Sequence, residues 1–212
     1  MLLITIILLT VFILNFIVYW ILFIKVKNKE RKLVKLFYKL FPFIWTLCIV
    51  PIPIINSSFL RFYFPYNYSY FQYYWIFFTL VGIVFIIIGI NFAKRARKLY
   101  KVKPLDESNS KLITYGIFRL IRHPIYSGWV LIFIGASIIS DSLISLIISV
   151  IFFILIEVNT MIEEKLILIP KYGKAYENYK KKTPNRIIPT PLNFLLLIII
   201  IIIAYVGFLN FS

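Results

Sequence analysis

Long stretches without a charged side chain dominate this sequence. Residues 1–24 contain no charge at all, and a helix of that length crosses a bilayer core of about 30 Å. We interpret this stretch as a retained membrane span, because it lacks the basic start and the small-residue cleavage site of a signal peptide. Further runs that are free or nearly free of charge predict five more spans, at 40–60, 71–93, 124–140, 142–162 and 192–210. The pattern therefore predicts an all-α, polytopic membrane protein with about six transmembrane helices.

Prolines and short polar residues modify two of these spans. Pro42, Pro51 and Pro53 lie in the second span, which we expect to bend or to end early. The fourth and fifth spans are separated only by residues 140–142, of sequence Ser-Asp-Ser. So short a connection predicts a tight helical hairpin.

Composition supports a lipid environment and charge orients the chain. Apolar residues make up 61% of the sequence and charged residues only 15%, against about a quarter in soluble domains. Of the 24 basic residues, 23 lie in three segments, at 25–39, 94–122 and 165–186. Six spans place these segments on one face, which the positive-inside rule makes cytoplasmic. The net charge of +16 therefore needs no nucleic-acid partner.

The sequence offers no credible metal site or disulfide. Cys48 is the only cysteine and His123 the only histidine, so neither a thiolate cluster nor a histidine site is available. We divide the chain into an N-terminal transmembrane region (1–99), a core with the hairpin and a cytoplasmic segment (100–190), and a C-terminal helix (191–212).

The stretch "RHPIYSG", at 122–128, contains residues that a simple span does not need. Pro124 fits the first turn of a helix, which puts His123 at the cytoplasmic start of the fourth span. Tyr126 lies three residues later and can face the same way. Gly128 leaves a gap in which a ligand or another helix can come close. The alternative is an ordinary interface with Arg122 as a positive-inside residue and a small-residue packing face.

Acidic residues cluster at the end of the fifth span. Glu157 lies in or near the hydrocarbon, where a charge is costly and usually functional. Glu163 and Glu164 follow near the cytoplasmic end of the same helix, and seven residues separate Glu157 from Glu164, so these two share a face. The alternative is that these acids pair with nearby basic residues and hold the loops together.

The segment 170–189 follows the acidic pair. Tyr172, Tyr176 and Tyr179 recur at spacings of four and three, with lysines between them. We expect a short amphipathic helix on the anionic leaflet. Arg186 follows between two prolines, and a guanidinium held there can grip a carboxylate or phosphate at two points. The alternative is again a positive-inside arginine.

The order of these three elements resembles the isoprenylcysteine carboxyl methyltransferase family and, more broadly, the related membrane phospholipid methyltransferases. An Arg-His-Pro-x-Tyr-x-Gly stretch opens the hairpin, a Glu-Glu pair closes it, and a tyrosine helix and an Arg-x-Ile-Pro follow. The resemblance covers about 112–189. It implies a pocket for S-adenosylmethionine at the cytoplasmic face.

Residue roles follow from the resemblance alone. It implies that Arg122, Arg186 and Glu164 are catalytic. It implies that the cofactor is bound by His123, Pro124, Tyr126, Gly128, Tyr115, Glu163 and Glu164. The sequence departs from the family pattern at Ile117, at Phe118 and in an extra residue before Arg186, so the register of Arg186 is the least fixed.

We therefore expect a membrane methyltransferase that uses S-adenosylmethionine to methylate the carboxylate of a prenylated cysteine or a similar lipidic acid. Its partners are then the bilayer and that substrate. Three alternatives remain open: an N-methyltransferase acting on a phospholipid or amine, with His123 as base; a membrane reductase that uses NADPH on an isoprenoid or sterol-like double bond; and a non-enzymatic membrane protein.

Overall fold

The computed structural model describes residues 2–25, 40–41, 44–58, 74–102, 112–190, 192–196, 198–199 and 201–202. Within these residues the chain is helical and contains no strand. The helices are α1 (Leu2–Lys25), α2 (Pro51–Ile55), α3 (Trp75–Val102), α4 (Pro124–Ile139), α5 (Leu143–Glu163), α6 (Ile169–Tyr172) and α7 (Lys174–Lys182). A 3₁₀ turn covers Gly116–Arg119 and a π-helical segment covers Glu164–Leu168. The predicted all-α class is confirmed.

Three helices are long and apolar enough to cross a membrane, over Leu2–Leu22, Trp75–Tyr100 and Leu143–Tyr172. They correspond to the first, third and fifth predicted spans. Shorter apolar helices, Ile44–Ile55 and Pro124–Ile139, occupy the second and fourth. The sixth is helical at its described residues up to 202, while 203–212 lie outside the described part of the chain. The count of six spans stays a prediction.

Helix α3 is longer than the charge-free run that predicts the third span. The charge-free run ends at residue 93, but the helix continues to Val102. Backbone hydrogen bonds do not depend on side-chain polarity, so a helix can run on past the edge of the hydrocarbon. The nine added residues carry the start of the second basic segment.

The chain divides into two compact units, Met1–Ser69 with Ser140–Ser145, and Tyr70–Ile139 with Leu146–Ser212. In the first unit, the Asn56 amide donates to the Thr5 hydroxyl at 2.9 Å, both side chains being buried. In the same unit, the rings of Phe16 and Trp45 pack with centroids 6.3 Å apart. A side-chain hydrogen bond between apolar helices is a common means of association in lipid.

The second unit is organised around a close contact between α3 and α4. A Cβ atom added to Gly89 would lie 2.6 Å from the backbone oxygen of Gly128, and one added to Gly82 would lie 2.7 Å from that of Gly135. Both pairs follow the same spacing of seven residues, so the two helices touch backbone to backbone at two levels. Small residues permit this approach in membrane helices. The gap at Gly128 was expected to admit either a ligand or another helix, and in the structure it is α3 that comes close.

The hairpin between α4 and α5 is present as expected. Asp141 turns the chain with φ +51°, a conformation that aspartate adopts more readily than most residues. The rings of Phe133 on α4 and Phe152 on α5 then pack with centroids 4.9 Å apart.

The fifth helix changes pitch at Glu164. The π-helical segment Glu164–Leu168 is followed by Pro170 in α6. Proline has no N–H to donate to the carbonyl four residues earlier, so the wider turn lies where the regular hydrogen-bond ladder is interrupted. Such π segments recur at functional sites.

The tyrosine segment forms two helices rather than one. Gly173, with φ +52°, separates α6 from α7. Tyr176 and Tyr179 lie on the inner face of α7 and are buried, at 1% and 5% exposure. They pack against Phe118 and Ile121. The expectation of an aromatic face on the leaflet is therefore wrong for these two tyrosines, because the protein itself covers that face.

The backbone contact between α3 and α4 gives a first testable prediction. We expect Gly89→Ala to lower the thermal midpoint of the detergent-purified protein, since the new methyl would meet a backbone oxygen that no side-chain rotation can move. The cost of such overpacking is about 1–3 kcal/mol. Val84→Ala, at an exposed position of the same helix, is the control and should change the midpoint little. Equal midpoints for the two variants would contradict the contact.

Candidate functional site

The "RHP" stretch lies at a junction between a 3₁₀ turn and a membrane helix. Gly116 adopts φ +64° and begins the turn, and Pro124 is the first residue of α4, as expected from its missing N–H. Arg122 and His123 occupy the short non-helical stretch between these elements and are both 6% exposed. The predicted position of His123 at the start of this helix is confirmed.

The segment after α7 returns to this junction and is hydrogen-bonded to it. The backbone N–H of Arg122 donates to the carbonyl of Asn185 at 3.1 Å, and that of His123 to the carbonyl of Arg186 at 3.0 Å. The Tyr179 hydroxyl donates to the carbonyl of Phe118 at 2.6 Å. These bonds fix the segment that carries Arg186 directly beside the "RHP" stretch.

Glu164 is the centre of the site. One of its oxygens, Oε1, lies 2.8 Å from Nε of Arg122, 3.1 Å from Nε2 of His123 and 3.4 Å from Nε of Arg186. Its side chain is only 4% exposed. Since an ionised carboxylate only accepts, Nε2 of His123 carries a proton. One buried carboxylate thus contacts two residues more than forty positions before it in the sequence, Arg122 and His123, and one residue twenty-two positions after it, Arg186.

The two arginines are held in different ways. Arg122 also donates through Nη1 to the carbonyls of Thr183 and Pro184, at 2.7 and 2.6 Å, and its side chain is 3% exposed. Arg186 donates through Nη1 to Oε2 of Glu157 at 2.8 Å, and its side chain is 20% exposed. Nε of Arg186 is buried and forms no hydrogen bond of good geometry, although it lies within ion-pair range of Glu164. Arg186 is therefore the more accessible guanidinium of the two.

The charges of this cluster balance. Two guanidinium groups face two carboxylates, so a neutral His123 leaves the cluster without net charge. Burial of a single unpaired charge costs several kcal/mol, and the arrangement avoids that cost. Burial opposes the charge on Arg186, but the carboxylates of Glu157 and Glu164 outweigh it and raise the pKa of the guanidinium.

Two buried tyrosines of α7, Tyr176 and Tyr179, are influenced by the charge of Glu164. Burial raises the pKa of Tyr176 and of Tyr179 well above the usual range, and the negative charge of Glu164 adds to the effect on both. Both phenols therefore remain protonated at any physiological pH. The hydroxyl of Tyr176 is buried and faces the carboxylate of Glu164, without a hydrogen bond of good geometry to any described residue.

The other predicted site residues have no ion pair or hydrogen bond with Glu164 among the contacts described here, and each has its own surroundings. The ring of Tyr126 is 6.0 Å from that of His123, centroid to centroid, so the two do share a side of the helix start. Gly128 packs against α3 at Gly89. Tyr115 is 46% exposed at the start of the 3₁₀ turn. One oxygen of Glu163 is buried without a hydrogen-bond partner in the part of the chain that the structure describes.

Sequence reasoning did not foresee two contacts. The alternative considered for the three acids was pairing with Arg119, Arg122 or nearby lysines; Glu164 does pair with Arg122, whereas Glu157 pairs with Arg186. The spacing of seven between Glu157 and Glu164 was a usable signal, because it puts both carboxylates on one face of the helix. The hydrogen bonds from Arg122 to the carbonyls of Thr183 and Pro184 could not be predicted from the sequence, because every residue has a backbone carbonyl. Among the described residues, no group of side chains could hold a metal ion.

Comparison with known proteins gives one match. A family model described as phospholipid methyltransferase matches residues 67–175, which is 109 of the 212 residues. The match includes Arg122, His123 and Glu164 and ends before Arg186. No curated protein matches the chain, and no solved structure does.

The contacts of Arg122 give a second prediction. We expect Arg122→Lys to speed hydrogen exchange at the amides of residues 122 and 123, because lysine cannot donate to Glu164 and to two carbonyls together. The free energy of local opening at these amides should fall by about 1.5–3 kcal/mol, the range for a hydrogen bond to a charged group. Exchange measured by mass spectrometry reports it directly.

Arg119→Lys provides the matched control, because Arg119 is exposed three residues earlier. It should leave exchange at 122 and 123 unchanged. If both substitutions had the same effect, Arg122 would not hold the 183–186 segment.

Proposed function

The chain belongs to the phospholipid methyltransferase family, which includes the isoprenylcysteine carboxyl methyltransferases, and from this membership and the site geometry we propose that it transfers a methyl group from S-adenosylmethionine to the carboxylate of a lipidic acid. Family membership supports a membrane methyltransferase over the reductase and the non-enzymatic protein. The donor, the acceptor and the residue roles are our proposal. The observation that carries it is the contact of Glu164 with Arg122, His123 and Arg186.

The residues around this contact suit the proposed donor. Its amino and ribose groups need acceptors, and Glu163 has a buried oxygen with no partner among the described residues. Its carboxylate and ring nitrogens need donors, and the buried hydroxyl of Ser127 is likewise without a described partner. Unsatisfied buried polar atoms are costly, so a polar ligand that completes them would bind favourably. Carboxylates nearby also suit a cationic sulfonium.

We assign different roles to the charged residues. Glu164 is almost fully buried and engaged by three side chains, so we propose that it is a positioning residue that holds His123 and Arg186. Arg122 joins it as a second positioning residue, because its side chain is 3% exposed and already donates to Glu164 and to two backbone carbonyls. Arg186, which is more exposed, is the residue that we expect to bind the acceptor carboxylate at two points.

When bound, S-adenosylmethionine supplies an electrophilic methyl group for an in-line displacement by the acceptor oxygen. An ionised carboxylate is already a nucleophile, so no strong base is required. The contribution of this chain is then alignment, which can lower a barrier by several kcal/mol. Arg186 orients the acceptor, and the 183–186 segment, bonded to residues 122 and 123, keeps that guanidinium in place.

Methylation of a phospholipid amine is the second candidate, because the matched family is described by that activity. An amine must lose a proton before it attacks. His123 donates through Nε2 to Glu164, which leaves Nδ1 as the nitrogen that could accept the proton. The product separates the two candidates, since a methyl ester releases methanol in alkali and an N-methyl group does not.

Cofactor binding gives a third prediction. We expect the detergent-purified protein to bind S-adenosylhomocysteine, and Glu164→Gln to weaken this binding by about tenfold or more, since the neutral amide no longer holds His123 and Arg186. Isothermal titration calorimetry measures the affinity. His123→Ala should weaken it as well.

The matched control is Glu177→Gln, which removes an exposed carboxylate from α7. We expect its affinity to equal that of the unmodified protein. An absence of heat with the unmodified protein at millimolar ligand would argue against methyl transfer altogether.

The acceptor role of Arg186 gives a fourth prediction. Arg186→Gln should lower kcat/KM for a lipidic carboxylic acid by about 10²-fold, because the acceptor carboxylate loses the two-point contact that aligns it with the methyl group. Affinity for S-adenosylhomocysteine should change much less. Labelled methanol released by alkali is the readout, and Arg119→Gln at an exposed position is the control. An equal loss of cofactor affinity would instead assign Arg186 to the donor.

A further inference from the structure

The pair formed by Arg186 and Glu157 is the accessible part of the ion cluster. Nη1 of Arg186 lies 2.8 Å from Oε2 of Glu157, and the two side chains are 20% and 24% exposed. The side chains of Arg122 and Glu164 are only 3% and 4% exposed. A partly exposed ion pair contributes little to stability, whereas a buried pair is costly to separate. The contact of Arg186 with Glu157 is therefore the one that a ligand can exchange.

Arg186 leaves one of its edges for a carboxylate. A guanidinium binds a carboxylate at two points through neighbouring nitrogens. Nε of Arg186 is buried and lies 3.4 Å from Oε1 of Glu164, so an edge that includes Nε faces the protein. The remaining edge joins the two terminal nitrogens, and Nη1 already contacts Glu157. A further carboxylate at this edge must share Nη1 with Glu157 or displace it.

Charge favours displacement over sharing. The cluster contains two guanidinium groups and two carboxylates, so it has no net charge while His123 is neutral. A third carboxylate beside Glu157 would leave a negative charge uncompensated, and the two anions would repel each other. Glu157 can turn away by rotation about its side-chain bonds, because its backbone stays in α5 and its side chain is 24% exposed.

We propose that Glu157 is a specificity-determining residue that occupies the acceptor site of Arg186 until the carboxylate of the acceptor displaces it. This inference rests on the proposed function and adds an internal competitor to it. Glu157 neutralises Arg186 while the site is empty. A neutral lipid offers no charge to replace that of Glu157, so only an anionic head group can complete the exchange. The pair thus selects against the neutral lipids of the bilayer.

Two roles of Glu157 predict opposite effects of Glu157→Gln. If Glu157 competes with the acceptor, the substitution removes the competing charge, and an anionic lipid binds more tightly. If Glu157 instead holds Arg186 in place for the acceptor, the substitution weakens that binding. The glutamine amide has nearly the shape of the carboxylate and can still accept a hydrogen bond from Nη1. The variant therefore changes the charge and little else.

The test uses the full chain in detergent with saturating S-adenosylhomocysteine. The probe is N-acetylcysteine S-alkylated with a pentadecyl chain, and the matched ligand is its neutral carboxamide. Calorimetry measures the Kd of each. We expect Glu157→Gln to lower the Kd of the acid by at least about threefold. The Kd of the carboxamide should stay within about twofold, because that ligand does not compete by charge.

Two further variants support the comparison. Glu177→Gln removes an exposed carboxylate from α7 and should change neither Kd. Glu157→Asp is the second variant if Glu157→Gln does not fold. Its side chain is one methylene shorter and contacts Arg186 less well, so it should lower the Kd of the acid in the same direction by a smaller factor.

Each outcome decides the proposal. An unchanged or higher Kd of the acid in Glu157→Gln overturns it, and so does equal tightening of the acid and the carboxamide, because charge is then not the cause. Absence of acid binding to both the unmodified protein and Glu157→Gln also overturns it. These results leave the cofactor part of the proposed function standing while S-adenosylhomocysteine binds. Loss of that binding in the unmodified protein removes the function itself.

A cationic probe separates the two candidate acceptors. Hexadecylamine carries a positive charge that Glu157 attracts, so Glu157→Gln should weaken any binding of it. If hexadecylamine binds the unmodified protein and the acid does not, the acceptor is an amine, and both the carboxylate acceptor and the competitor role of Glu157 are wrong.

Discussion

The rest of the site depends on one buried carboxylate. Oε1 of Glu164 is shared by Arg122, His123 and Arg186 within 3.4 Å, and these side chains come from the stretch before α4 and from the segment after α7. A lone charge buried at this depth would be prohibitive. The chain must therefore bring all its partners together, and in doing so it defines where the helices, the 3₁₀ turn and the 183–186 segment meet.

Backbone geometry supplies the precision that the ion cluster needs. Glycine pairs let α3 and α4 touch, which fixes the helix whose first residue follows His123. The π-helical segment begins at Glu164 and sets the position of that carboxylate. The hydrogen bonds from residues 122 and 123 to residues 185 and 186 set the position of Arg186. Polar groups held by rigid neighbours are preorganised, which is how such a site could favour a transition state.

Much of the architecture followed from the sequence, because charge-free runs, proline at a helix start and the Ser-Asp-Ser connection each have one physical meaning. The shared face of Glu157 and Glu164 was equally readable from their spacing. Their partners were not, since 24 basic residues compete and only tertiary structure selects Arg186 for Glu157. The acceptors of Arg122 could not be predicted either, because they are backbone carbonyls about sixty residues away. The glycine contact was also not predictable, because the spacing of seven has meaning only once the two helices are paired.

The central claim is that this cluster forms the wall of a cofactor pocket. An experimental density map of the full chain with S-adenosylhomocysteine tests it most directly. The account predicts nucleoside density against His123 and Tyr126, with the Arg122–Glu164 ion pair intact beneath it. Ligand density elsewhere in the chain, or density for Glu164 separated from both Arg122 and His123, would contradict it.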